Sequence, residues 1–189
     1  MHRKISSIIN AVAPISEKAL AKILDLISYK IVKKGDLLAE VGQWNNLEYF
    51  VIDGIFKSYL HTPNGDSITI SFFMQNSIIS PSTTRNNAGK SIINIKALSD
   101  GEIATMDAMA FEKLMIEDVE IREFGNAVLR SELMAKVQKE IALASLKGKD
   151  KLHFLRRNYP NIENCIPHSD IASYLGITPI SLSRLRTES

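Results

Sequence analysis

Hydrophobic residues follow two different periods along this chain. Between residues 16 and 27 they recur every three or four positions, which predicts a helix capped by Ser16. Between residues 28 and 106, short runs rich in β-branched and aromatic residues are separated by turn residues. Asp53-Gly54 and Asn64-Gly65 supply the positive φ angles that tight hairpins need. We therefore predict a β-sandwich or barrel of jelly-roll type for this part.

The segment 75–91 interrupts the strand pattern. It is polar, contains Pro81 and Gly89, and is predicted to be a long loop. A loop of this length in a compact β domain is often functional, although a solvated loop without a ligand remains the alternative.

A helical period returns after Asp107, which is a candidate N-cap. From about residue 121 to 146 there is no proline, and a helix of this length would span about 39 Å at 1.5 Å per residue. Such a helix needs a partner along its length, either its own domain or a second copy of the chain. We favour a two-stranded dimer seam. The residues predicted to form it are Phe124, Val128, Leu129, Leu133, Val137 and Ile141.

The C-terminal stretch HSDIASYLGITPISLSRLR, residues 168–186, has the pattern of two short helices joined by a tight turn. Ser169 is predicted to cap the first helix, and Gly176 to end it in a left-handed conformation. Thr178 is predicted to cap the second helix, with Pro179 at its first position. This order is typical of a helix-turn-helix, whose second helix enters the DNA major groove. An αα-corner without a partner is the alternative.

The side chains of this stretch decide what it could bind. Leu182 and Leu185 are predicted to face inward, whereas the polar and basic residues face outward. Arg184 is the best candidate for a bidentate contact to guanine, and Ile180 suits a thymine methyl group. The predicted DNA-binding residues are Ser169, Thr178, Pro179, Ile180, Ser181, Ser183, Arg184 and Arg186.

Composition narrows the class of protein. The net charge is only +2, but residues 121–189 carry 11 Lys and Arg against 7 Asp and Glu, which suits a polyanionic partner. The single cysteine and four scattered histidines form no metal-ligand set and no nucleophile–base motif. We expect no enzymatic activity, no metal and no cofactor. Without a signal peptide or an apolar run that could span a membrane, the sequence predicts a cytoplasmic protein with no membrane partner.

The motifs KKGD, YFVIDGIFKSYL, NGDSITISFF and IASYLGITPISLSRLR together resemble the cyclic-AMP receptor/fumarate–nitrate regulator (Crp/Fnr) superfamily of transcription factors. The sequences of these motifs are most similar to those of the divergent members found in Bacteroidetes-type bacteria. The resemblance implies an α+β fold in three parts: a cyclic-nucleotide-binding-type β-roll over 1–118, a dimerisation helix over 119–147, and a helix-turn-helix domain over 148–189. The implied partners are double-stranded DNA, a second copy of the chain, RNA polymerase and a small-molecule effector of unknown identity.

One departure from the family bears on the effector. Nucleotide-binding members carry Gly-Glu and then Arg-Ser or Arg-Thr in the phosphate-binding loop, whereas this chain has Ser80-Pro81 and Lys90-Ser91. The ribose-binding carboxylate is missing, so we expect an altered pocket that does not respond to cyclic AMP. The candidate pocket residues are Ser80, Ser82, Arg85, Lys90 and Ser91. The alternative function is a ligand-sensing or protein-interaction β-roll that has lost DNA binding.

Overall fold

The computed structural model of the chain describes residues 2–80 and 84–187. These residues form two compact units: unit 1 comprises 2–56, 73–80 and 84–132, and unit 2 comprises 57–72 and 133–187. The helices are α1 His2–Val12, α2 Glu17–Leu24, α3 Ala108–Glu117, α4 Val119–Ser145, α5 Gly148–Asn158, α6 His168–Leu175 and α7 Pro179–Thr187. The strands are β1 Ser28–Val32, β2 Leu37–Ala39, β3 Leu47–Asp53, β4 Phe56–His61, β5 Ser67–Phe73, β6 Ile78–Ile79, β7 Asn94–Ala97 and β8 Gly101–Asp107.

Unit 1 is built on an antiparallel sheet with the order β1-β8-β3-β6. Strand β8 is central: Lys30 pairs with Ile103 on one side, and Val51 pairs with the same Ile103 on the other. A bulge near Asp53 interrupts the β3–β8 register where the chain enters its turn. Strands β2 and β7 pair antiparallel in a second sheet.

The helices of unit 1 cover one face of this sheet. Alternate residues of β3 and β8 point to that face, and they pack against α1, α2 and the first half of α4. Caps fix the helix starts, since Ala19 donates its N–H to the Ser16 hydroxyl and Ala110 donates its N–H to the Asp107 carboxylate. The buried residues of this core are Ile5, Ile8, Ile9, Ala19, Ile23, Phe50, Ile52, Ala104, Met106, Ile121 and Phe124.

Unit 2 contains the β4–β5 hairpin, the second half of α4, and the helices α5, α6 and α7. Leu152, Leu155, Ile171, Leu175 and Leu182 are all inaccessible to solvent and hold the C-terminal helices together. An aromatic cluster joins the hairpin to these helices, because Phe72 lies 5.6 Å from Tyr159 and 5.1 Å from Tyr174 between ring centroids.

Several predictions of local structure are confirmed, and others need correction. The helix α2 with its Ser16 cap, the strands around Gly54 and Gly65, and the long α4 are present as predicted. Helix α5 begins at Gly148, three residues after the end of α4. Helix α1 was not predicted from the sequence, although its isoleucines Ile5, Ile8 and Ile9 are buried.

The division into domains 1–118, 119–147 and 148–189 stays a prediction. The chain passes from unit 1 to unit 2 within α4, and residues 57–72 pack in unit 2 through contacts with Asp170 and Tyr159. Among the described helices, none is long and apolar enough to cross a membrane.

Candidate nucleic-acid interface and effector pocket

The turn between α6 and α7 has the geometry that its sequence predicts. Gly176 adopts φ 65° and ψ 35°, a left-handed conformation that favours glycine. The N–H of Ile177 donates to the Ala172 carbonyl at 3.0 Å, which closes the end of α6. The Thr178 hydroxyl accepts from the Ser181 N–H at 3.1 Å and so caps α7, with Pro179 as the first helical residue.

The N-cap of α6 lies two residues before the predicted one. The helix begins at His168 and its N-cap is Pro167, so Ser169 lies inside the first turn and does not cap it. Ser169 is exposed. A proline fits here because the helix start needs no N–H from that position.

Helix α7 divides into a buried face and an exposed face. Leu182 is completely buried and fixes the helix against unit 2. On the opposite side Ile180 is 67% exposed, and Ser183 and Arg184 are also exposed. Thr178 and Pro179 are exposed at the helix start, and Ser181 is half-buried. The side chains predicted to read base edges are therefore accessible within the chain.

Arg186 is placed differently from Arg184. Its Nε lies 3.0 Å from a Glu163 oxygen, and its Nη1 lies 3.1 Å from Nδ1 of His168. Glu163 also accepts from Arg156 at 2.6 Å. Burial alone would raise the pKa of Glu163, but the hydrogen bonds and charges of Arg156 and Arg186 outweigh it and hold the pKa below its usual value. Arg186 thus anchors the end of α7 to the rest of unit 2.

The β4–β5 hairpin holds α6 through polar contacts. The Lys57 ammonium lies 2.6 Å from the Asp170 carboxylate, and both side chains are nearly buried, with 8% and 13% exposed. The hydroxyl of Ser173 donates to the Ser67 carbonyl at 3.0 Å and accepts from the Thr69 N–H at 2.9 Å. These contacts satisfy the hydrogen-bonding groups of the Ser67 and Thr69 backbone and fix the orientation of α6. The positions of the turn and of α7 follow from the orientation of α6.

Lys139 links α4 to this arrangement inside unit 2. Its ammonium donates to the Ile70 carbonyl and lies 4.0 Å from the centroid of the Tyr174 ring, a cation–π geometry. Burial lowers the pKa of Lys139 to about 8, because a desolvated ammonium is costly.

The six residues predicted to form a dimer seam fall into two groups. Phe124 is 1% exposed and Val128 is partly buried against the core of unit 1, so both are used inside their own chain. This corrects the prediction for Phe124, which has no surface left for a partner. By contrast Leu133, Val137 and Ile141 are 64%, 41% and 58% exposed and lie one turn apart on α4. Leu129 is half-buried.

The predicted effector-pocket residues are only partly brought together. Ser80 and Arg85 line a cavity in unit 1, which they share with Glu48. Lys90 is exposed at a β-bridge to Trp44, and Ser91 is buried with its hydroxyl donating to the Ile93 carbonyl at 2.6 Å. Ser82 lies outside the described residues.

Arg85 is occupied by the chain itself. Its Nη1 donates to the Asn45 carbonyl at 3.0 Å and to Asn46 Oδ1 at 3.1 Å, and its Nη2 lies 3.8 Å from Glu48. Sequence reasoning missed Glu48, which is 6% exposed. The available signal was a charged residue inside the otherwise apolar strand LEYFVI. Within the described part of the chain, no group of His, Cys, Asp and Glu has the arrangement of a metal site.

Comparison with known proteins identifies the domain and the fold. Residues 29–118 match the family of cyclic nucleotide-binding domains. FixK2 from Bradyrhizobium japonicum is similar over 86% of this chain and 83% of its own, with a TM-score of 0.75 and 16% identity. A putative Crp/Fnr-family transcriptional regulator from Eubacterium rectale is similar over 92% of this chain and 83% of its own, with a TM-score of 0.71 and 18% identity. The c-di-GMP responsive regulator CLP from Xanthomonas campestris is similar over 92% of this chain and 91% of its own, with a TM-score of 0.69 and 11% identity.

No curated protein matches the chain by sequence. At these identities the solved structures establish the fold. The resemblance inferred from the sequence motifs is thus confirmed for the cyclic nucleotide-binding domain and for the fold of Crp/Fnr regulators.

Proposed function

We propose that this chain, with a cyclic nucleotide-binding domain and the fold of Crp/Fnr regulators, is a homodimeric, sequence-specific DNA-binding transcription regulator. The observation that carries the proposal is the exposed face of α7. A capped, proline-initiated helix rests on the buried Leu182 and presents Ile180, Ser183 and Arg184 to solvent. In this reading α6 and α7 are a helix-turn-helix and α7 is the recognition helix.

Dimerisation is proposed through the exposed part of α4. Leu133, Val137 and Ile141 form a stripe with a spacing of four residues, and Met134 beside it is 57% exposed. A stripe of large apolar side chains on a helix is costly in water and is covered well by the same stripe of a second copy. Two recognition helices would then read two half-sites about 34 Å apart on a partly palindromic duplex.

The proposed regulator does not respond to cyclic AMP. The guanidinium of Arg85 is engaged by Asn45, Asn46 and Glu48, and Lys90 is exposed. The sequence motif also lacks the glutamate that would bind the ribose, since Ser80-Pro81 stands in place of Gly-Glu. Titration calorimetry of the full chain with cyclic AMP and cyclic GMP is expected to give no saturable heat. Saturable binding of either nucleotide would contradict this part of the proposal.

DNA binding is tested by selecting duplexes from a random pool with the wild-type chain and measuring their affinity by mobility shift. Arg184→Ala is expected to lower the affinity for the selected site roughly tenfold or more and to relax the preference at one base pair, because a bidentate Arg–guanine contact contributes about 1–3 kcal/mol of discrimination. Arg122→Ala is the matched control, since Arg122 is exposed in unit 1 and has the same charge.

Equal affinities of the two variants, with no preference for the selected site over unrelated duplexes, would instead support a module that has lost specific DNA binding.

A further inference from the structure

A cavity of about 230 Å³ lies in unit 1 between the helix-covered face of the sheet and the helices α3 and α4. Its walls are apolar and include Phe50, Met106, Phe111 and Phe124. One end is polar, and there the carboxyl of Glu48 meets the hydroxyl of Ser80 and the guanidinium of Arg85. An apolar chamber with a few convergent polar groups at one end is the general form of a small-molecule site.

This cavity is separate from the opposite face of the sheet. Side chains alternate along β3, so Glu48 and Phe50 point towards the helices while Tyr49 points away. The Tyr49 hydroxyl donates to the Leu38 carbonyl of β2 at 2.9 Å. A ligand in the cavity would thus contact α3 and α4 directly.

The charges at the polar end are unbalanced. Glu48 lies closest to Arg85, but the separation of 3.8 Å is long for an ion pair, and Arg85 already donates to Asn45 and Asn46. A second carboxylate, that of Glu112 in α3, also lines the cavity. The lining therefore holds two carboxyl groups and one guanidinium, which favours an additional cation.

The pKa of Glu48 agrees with this imbalance. Burial raises it to about 7, against the opposing effects of the Ser80 hydrogen bond and the Arg85 charge, and Glu132 raises it further. A cation that binds beside Glu48 would favour the ionised carboxylate and release a proton. Binding of such a ligand should strengthen as the pH rises through 7.

We propose that this cavity binds a small, mostly apolar molecule that carries one amine, with the ammonium group held by Glu48 and the apolar body among the aromatic residues. An engineered protein cavity of about 150 Å³ holds benzene, so a cavity of this size accommodates a body with about nine or ten non-hydrogen atoms. The site binds its ligand in the free protein and does not depend on the proposed DNA binding.

Titration calorimetry of the full chain, without DNA, tests the proposal with three probes of closely similar size: 2-phenylethylamine, 2-phenylethanol and phenylacetate. The amine is expected to bind saturably at pH 8 and at least tenfold more weakly at pH 6. The alcohol and the acid are expected to bind at least tenfold more weakly than the amine at pH 8. Because no DNA is present, a failure of this site is distinguishable from a failure of the proposed function.

Two variants locate the amine in the cavity. Glu48→Gln keeps the size of the side chain and is expected to weaken amine binding at least tenfold, while Val128→Phe is expected to abolish it by filling the space between α4 and the sheet. Glu40→Gln, at an exposed position, is the control and should bind as the wild type does. Circular dichroism verifies that each variant is folded. No saturable amine binding to the wild type, equal binding of the acid or the alcohol, or unchanged binding by folded Glu48→Gln would overturn the proposal.

Discussion

Both units bury charged side chains, but they compensate them differently. In unit 2, Lys57 and Asp170 lie 2.6 Å apart, and Glu163 is shared by two arginines at 2.6 and 3.0 Å. In unit 1, Glu48 lies 3.8 Å from Arg85 beside a cavity. Close pairing fixes a structure, since removal of either partner leaves an uncompensated charge. Loose pairing beside a cavity leaves a group whose environment a ligand can complete. Unit 2 thus uses buried charge for rigidity, and unit 1 retains it at a candidate binding site.

The largest expected effect distinguishes core from surface along α4. Phe124→Ala should destabilise unit 1 by about 3–5 kcal/mol, because it removes a fully buried aromatic side chain. Leu133→Ala, nine residues further along the same helix, removes an exposed side chain and should leave the stability of the isolated chain almost unchanged while weakening self-association. Urea denaturation measures the first effect and sedimentation equilibrium the second. A similar loss of stability in both variants would contradict the division of α4 into buried and exposed parts.

The next effect tests the rigidity of unit 2. Lys57→Met should destabilise the chain by about 3 kcal/mol in urea denaturation, because Asp170 is left buried without its partner. The double variant Lys57→Met with Asp170→Leu removes both charges and should recover most of that loss. If the double variant is no more stable than the single one, the ion pair is not the cause.

Glu48 provides the corresponding test for unit 1. The pKa of its carboxyl rises from 4.5 to about 7 on folding, so the folded state holds this proton more tightly than the unfolded state does. The free energy of unfolding should therefore fall as the pH rises from about 4.5 to 7, by about 2–3 kcal/mol at 1.36 kcal/mol per pH unit. Glu48→Gln should remove this part of the pH dependence in urea titrations, whereas Glu40→Gln should retain it. An unchanged pH profile in Glu48→Gln would contradict the assignment.

The smallest effect concerns the start of α7. Thr178→Ala removes the hydroxyl that accepts from the Ser181 N–H and should lower the free energy of unfolding by about 1 kcal/mol. Ser183→Ala, at an exposed position inside the helix, is the control and should change it by less than about 0.5 kcal/mol. Hydrogen exchange of the α7 amides would show where protection is lost; equal protection in both variants would exclude a capping role.

The capped turn of unit 2 could be predicted because its determinants lie within a few residues of each other. Gly176, Thr178 and Pro179 act on their own backbone, so their identities and order are sufficient. The predicted cap Ser169 was wrong by two residues, since a proline and a serine so close together both suit a helix start.

The partners of the predicted site residues could not be derived in the same way. The period of α4 is nearly the same at Phe124 and at Leu133, yet one side chain is buried and the other is exposed. The period of the apolar residues shows which side of a helix is apolar, but it does not show what packs against that side. Likewise Arg184 and Arg186 are two residues apart with the same chemistry, and only the position of Glu163 shows that Arg186 is engaged within unit 2.

The sequence by itself determined the capped helix α2, the strands around Gly54 and Gly65, the turn before α7 and the match of residues 29–118 to cyclic nucleotide-binding domains. These depend on contacts between near neighbours in the chain and on motifs of a few residues. The tertiary structure alone decided that Lys57 pairs with Asp170, 113 residues away, and that Glu48 faces a cavity with Arg85. Burial and charge compensation depend on distant segments meeting in space, and no local pattern encodes which segments meet.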